Sequence, residues 1–157
     1  MISASLRSFA VLAAFLLAIP DPLADLGWVW PVAHVQVVRP YEAPAHAYGP
    51  GHRGLDLASG EVVRSPADGH VAFAGEVAGR PVVTIDHGGG LVTTLEPVAS
   101  DTAVGDVVAR AAPVGRLAMG GHTAPGMLHL GVRLDGEYIN PLRLRGGVPR
   151  AILLPCC

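Results

Sequence analysis

Met127-Leu-His-Leu-Gly-Val-Arg-Leu-Asp-Gly-Glu-Tyr138 is the stretch that decides the fold. Leu128, Leu130, Val132 and Leu134 alternate with Met127, His129, Gly131 and Arg133. A period of two puts the first set on one face of a β-strand and the second set on the other. Asp135-Gly136 then supplies the residue pair of a tight hairpin turn, so the chain returns antiparallel through residues 137–139. Working outward, short runs rich in Val, Leu, Ile and Thr, bounded by Gly, Pro and Asp, recur at 61–64, 70–74, 81–86, 91–95, 106–109 and 114–118. Strands of this length and spacing predict an all-β chain, a compact antiparallel sandwich or barrel. Between residues 26 and 147, Gly and Pro recur too often for an amphipathic helix of useful length. Gly60-Glu-Val-Val63 is echoed by Gly105-Asp-Val-Val108, as in a β fold built from two similar halves.

The 157 residues suit one domain, and 50% of them are apolar, enough for a substantial core. All 11 basic residues are arginines, scattered among 13 acids, and the net charge is −2. Nucleic acid is therefore excluded as an expected partner, because no basic patch is present to bind it. At the N-terminus one positive charge at Arg7 precedes an apolar run at 9–19 and the segment Pro20-Asp-Pro-Leu-Ala24. This is the architecture of a signal peptide, and the run is shorter than the ~20 residues of a bilayer span. The expected organisation is a signal peptide at 1–24, a linker at 25–33, a folded domain at 34–147 and a tail at 148–157. An uncleaved membrane tether is the alternative for the first segment; otherwise no membrane contact is expected. Cys156 and Cys157 are neighbours, poorly placed to bridge each other, and they lack a second pair at zinc spacing.

His52 and Asp56 flank Gly54 just after a Pro-Gly turn, and His129 stands on the non-leucine face of its strand beside Gly131. Two imidazoles and a carboxylate match a catalytic zinc site, which uses three protein ligands and leaves a position for water. In a straight strand residues i and i+4 lie about 13 Å apart, too far to share an ion. The chain must bend between His52 and Asp56, and Gly54 is the residue that tolerates a bend. Trp28, Trp30, Tyr41 and Tyr48 precede the site as packing residues or as walls of a peptide groove.

The ordered motifs WPV, GHRGLDLA, SPADGHVAFAG, VVTIDHGGGLVTTLEPV, VGDVV and LHLGVRLDGEYINPL span residues 30–144. In this order the chain resembles the lysostaphin-like (LytM-type) zinc metallopeptidases that cut peptidoglycan peptides. The resemblance implies a compact antiparallel β structure of the duplicated hybrid motif type, with His52, Asp56 and His129 as the zinc ligands. It also implies peptidoglycan peptides as substrate and a secreted or cell-wall location. Two positions depart from the family pattern. Met127 stands where the first histidine of an HxH motif is usual, and Leu95-Glu96-Pro97 aligns with a segment that usually carries a second catalytic histidine. A thioether is a weak acceptor and proline has no side-chain donor, so neither can move a proton. His122, in the loop before the ligand strand, and Glu96, beside the missing histidine, are the candidate replacements. His87, before three glycines, matches a turn common in the family and is expected to be structural. The alternative function is a non-catalytic zinc- or peptidoglycan-binding module, or a regulator that partners another cell-wall hydrolase. PADGHV and VGDVV also resemble biotinyl or lipoyl carrier domains, but such carriers need a lysine and this chain has none.

Overall fold

A computed structural model describes residues 21–120 and 124–146. Among them the elements run β1 (Gln36–Arg39), β2 (Gly54–Ala58), β3 (Val62–Arg64), β4 (Gly69–Val77), β5 (Arg80–Asp86), β6 (Leu91–Glu96), β7 (Val98–Ser100), β8 (Val107–Val108), β9 (Pro113–Leu117), β10 (Met127–Leu134) and β11 (Glu137–Tyr138). Five-residue 3-10 helices at Pro22–Leu26 and Pro141–Arg145 flank the strands. The larger sheet has the order β1-β2-β10-β6-β5-β4-β8 with β11 beside β10, and the smaller has the order β3-β9-β7. Every strand pairing is antiparallel, so the all-β expectation holds.

The leucine face of β10 is the centre of the core. Leu128, Leu130 and Val132 pack with Leu55 and Leu57 of β2, Leu95 of β6, Val83 and Ile85 of β5, and Val63, Val98 and Val114 of the smaller sheet. The opposite face of the larger sheet carries the polar alternates. Asp135 (φ 50°) and Gly136 (φ 86°) both adopt the left-handed conformation that a two-residue hairpin loop between β10 and β11 requires.

The internal echo has a structural counterpart. Gly60-Glu-Val-Val63 ends in β3, whose Val62 pairs with Arg116 of β9, while Gly105-Asp-Val-Val108 ends in β8, whose Val107 pairs with His70 of β4. Each short strand thus pairs with the long strand that follows the other copy, which interlocks the two halves.

Three strands lie outside the runs read from the sequence: β1, β2 and β7. β2 was legible as a ligand element rather than a strand, although Leu55 and Leu57 alternate with Gly54 and Asp56 as strictly as the β10 residues do. β7 is three residues long and follows Pro97, too short for periodicity to reveal.

The ends of the described chain are tied to the same body. Asp21 caps the first 3-10 helix by accepting from the Leu23 amide, and the Arg143 guanidinium donates to its carboxylate at 2.7 Å. Arg145 donates to the Trp28 carbonyl at 2.6 Å, and Trp28 and Val32 are buried in the core.

Candidate metal centre

Neighbouring strands bring the sequence candidates together. In the β2–β10 register Asp56 lies directly opposite His129, so their side chains leave the same face of the sheet. His52 precedes β2 and is held by a two-way backbone bridge with Glu42. From there its ring folds back over the strand, with Nε2 3.0 Å from Asp56 Oδ1, while His129 Nδ1 lies 2.8 Å from the same oxygen. All three side chains are buried, and one ligand atom from each lies within 4.8 Å of the others.

The hydrogen bonding of His52 tests whether this set suits a cation. Nδ1 lies 2.7 Å from the Pro40 carbonyl, which only accepts, so Nδ1 carries the proton. In the neutral ring Nε2 then presents a lone pair to the Asp56 carboxylate at 3.0 Å. Two acceptors that close repel unless a proton or a metal ion lies between them. A backbone carbonyl that fixes the ring in this way is the usual support of a metal-binding histidine. Zinc ligands at 2.0–2.2 Å in tetrahedral array stand about 3.4 Å apart, between the Asp56 separations of 3.0 and 2.8 Å and the 4.8 Å within which the whole set lies, so small side-chain movements would bring the three atoms to that spacing. The residues fit the ion.

Gly54 matters for a different reason than the bend expected of it. Its φ is not positive; a Cβ there would run into the Leu130 carbonyl oxygen and stand 2.6 Å from the His129 ring. Glycine is needed because the Leu130 carbonyl and the His129 ring both approach this backbone too closely for a side chain. The change of direction is made before β2, at the His52–Glu42 bridge.

Glu96 ends β6 in register with His129, so Asp56, His129 and Glu96 form one row across three strands. Its carboxylate is buried and pairs with Arg80 Nη1 at 3.2 Å. Glu96 is thus a buried strand residue rather than part of a surface loop. Met127 lies on the same face as His129, two residues earlier, and Pro97 is buried. His122, Cys156 and Cys157 lie outside the described residues. Among the aromatic candidates, Trp28 is core, Tyr41 donates to the Tyr138 carbonyl and Tyr48 is almost fully exposed.

His87 stands apart from the centre. Its Nδ1 donates to the Asp68 carbonyl, its Nε2 accepts from the Thr93 hydroxyl, both at 2.8 Å, and Trp28 meets its ring edge-on. Burial pushes its pKa below the ordinary histidine value, against the smaller opposing effects of the Asp68 carbonyl and the Asp86 carboxylate. The unfolded chain therefore takes up this proton first as pH falls. The stabilising contribution is full above ~6.5 and is lost as pH drops through the lowered folded value. In urea titrations at pH 5–7, His87→Gln is expected to flatten the acid-side loss of stability by up to about 1.4 kcal/mol per pH unit. Parallel slopes for variant and parent would contradict that assignment.

Comparison with known proteins agrees with this geometry. Residues 50–141 match the model of peptidase family M23. Protein Rv2891 of Mycobacterium tuberculosis is 39% identical over 153 residues, covering 91% of this chain; the chain spans 61% of the length of that relative. The crystal structure of Helicobacter pylori Csd3 superposes with a TM-score of 0.62 at 28% identity, over 79% of this chain and 35% of Csd3. A zinc-containing peptidase from Vibrio cholerae shares the fold, with a TM-score of 0.62 at 21% identity, over 76% of this chain and 40% of that one. By the match over residues 50–141, the chain belongs to peptidase family M23.

Proposed function

We propose that the chain is an exported zinc metallopeptidase-like protein acting on peptide bonds of bacterial peptidoglycan. The observation that carries this reading is the donor set: His52 Nε2, Asp56 Oδ1 and His129 Nδ1 converge, and the Pro40 carbonyl turns the His52 lone pair inward. A bound zinc would supply Lewis acidity toward a carbonyl oxygen and lower the pKa of its water towards ~7. His52, Asp56 and His129 would hold it on the open face of the larger sheet, away from the leucine core. Proton transfer falls to His122 or Glu96, since Met127 and Pro97 cannot perform it. General acid–base assistance contributes about 10²- to 10⁴-fold, so imperfect replacement gives a slow enzyme.

Export through the N-terminal apolar segment places the protein in the cell wall or outside the cell, where this substrate lies. A second reading, a non-catalytic zinc- or peptidoglycan-binding module that regulates another wall hydrolase, is favoured by Met127, Pro97 and the pairing of Glu96 with Arg80. The deciding experiment measures zinc content and cleavage of peptidoglycan peptides on one purified sample. Zinc-dependent cleavage is the expected outcome. Stoichiometric zinc without cleavage supports the module instead, and neither zinc nor cleavage removes both readings.

A further inference from the structure

Residues 21–24 make the contacts of a folded domain rather than those of a leader that is cut away. The Asp21 carboxylate accepts from the Leu23 amide at 3.2 Å and its backbone carbonyl accepts from the Ala24 amide at 2.9 Å, which closes the first turn of the 3-10 helix Pro22–Leu26. That turn is fastened to the far end of the chain. Arg143, in the 3-10 helix Pro141–Arg145, donates to the Asp21 carboxylate through Nε at 2.7 Å and Nη2 at 3.4 Å, the two side chains being 38% and 27% exposed. Gly146, which ends the second helix at φ 69°, comes so close that a Cβ there would lie 3.5 Å from the Ala24 methyl group. Leu23 packs against the buried core, and with Pro22 and Leu26 it walls a cavity of 480 Å³ that Trp28, Leu91 and Leu134 also line. The chain beyond Ala24 is held independently, at Gly27 by Arg110 and at Trp28 by Arg145, so a change within residues 21–24 shifts stability without unfolding the domain.

We infer that Asp21–Ala24 is a lasting part of the folded protein, a clasp that joins the two ends of the described chain, and that the leader ends before Asp21. The boundary after Ala24 expected from the sequence is thereby moved upstream. A cut after Ala24 would remove the helix cap, the partner of Arg143 and the apolar cover supplied by Leu23 in one step. The residue pattern agrees, since Pro22 occupies the position where a small residue is usual for that cut. The statement about the leader rests on the export reading above; the clasp does not. Leu91 pairs with Leu134 at one end of the β6–β10 ladder and Glu96 with His129 at the other. The clasp packs at the Leu91–Leu134 end, about 17 Å along the strands from the ligand end, so the point where the leader joins the body is remote from the metal centre.

The test expresses the full chain with its own leader in a bacterial host and reads the N-terminus of the exported protein by mass spectrometry. A first residue at or before Asp21 is expected, and a first residue beyond Asp21 overturns the inference. Thermal unfolding of the same exported protein gives a second readout, because a residue that has been removed cannot affect stability. Leu23→Ser is expected to lower the midpoint by about 3 °C or more through lost apolar burial. Asp21→Asn keeps a capping side chain but loses the charge that Arg143 meets, and is expected to lower the midpoint by about 2 °C. Midpoints unchanged in both variants overturn the inference, and Asp21→Asn alone decides if Leu23→Ser is not recovered folded. A chain that stays inside the cell overturns the export reading instead, and the two variants of the purified full chain then decide the clasp by the same criterion.

Discussion

His129→Ala is expected to abolish stoichiometric zinc binding while leaving the protein folded. His129 contributes one of three donor atoms, and the remaining pair, His52 and Asp56, is two short of a tetrahedral set. Loss of an outer-shell partner alone typically weakens a metal site 10- to 100-fold, so loss of a ligand should exceed about 100-fold. Stability should change far less. The ring lies on the polar face of β10, while Leu128, Leu130 and Val132 hold that strand from the other side. Metal content after dialysis and thermal unfolding of the metal-free protein check the two halves of the expectation. A variant that keeps zinc at parental stoichiometry would show that the metal sits elsewhere.

Gly54→Ala is the second large effect. The added methyl group meets the Leu130 carbonyl oxygen, a backbone atom of the central strand, as well as the His129 ring. Neither can yield cheaply: Leu130 is paired with Leu55 on one side and Leu95 on the other, and the ring is confined by Asp56. Overpacking of this kind costs about 1–3 kcal/mol, and here the displaced ring also takes a donor atom away from the site. The expected outcome is a lower unfolding midpoint in urea together with impaired zinc binding. By contrast Gly60, with open space around its Cβ position, should accept alanine with little change in either property. Equal tolerance at the two positions would contradict the close approach assigned to Gly54.

The contrast between these two glycines marks what the sequence could and could not reveal. Alternation in residues 127–134 and the Asp-Gly pair declared an antiparallel strand and its turn, and the structure has both. The same alternation put His129 on the face away from the leucines, where it meets Asp56. Gly54, however, looks in sequence like any bend glycine; its need arises from the backbone of a strand 76 residues away. The Pro40 carbonyl that orients His52 is a backbone group with no residue-type signature. Arg80 is likewise silent, because its pairing with Glu96 depends on the β5–β6 register, which only the folded sheet defines. Glu96 was visible as a candidate through its place beside the missing histidine, while its burial was not, since a proline follows it and suggests a loop.

Zinc-edge X-ray absorption on the purified, metal-loaded protein tests the central claim most directly. The account predicts a shell of nitrogen and oxygen neighbours at about 2.0–2.2 Å with the scattering signature of two imidazoles, and one imidazole fewer in His52→Ala. Sulfur neighbours at about 2.3 Å would instead place the metal on Cys156 and Cys157, and a shell unchanged by His52→Ala would contradict the His52–Asp56–His129 centre.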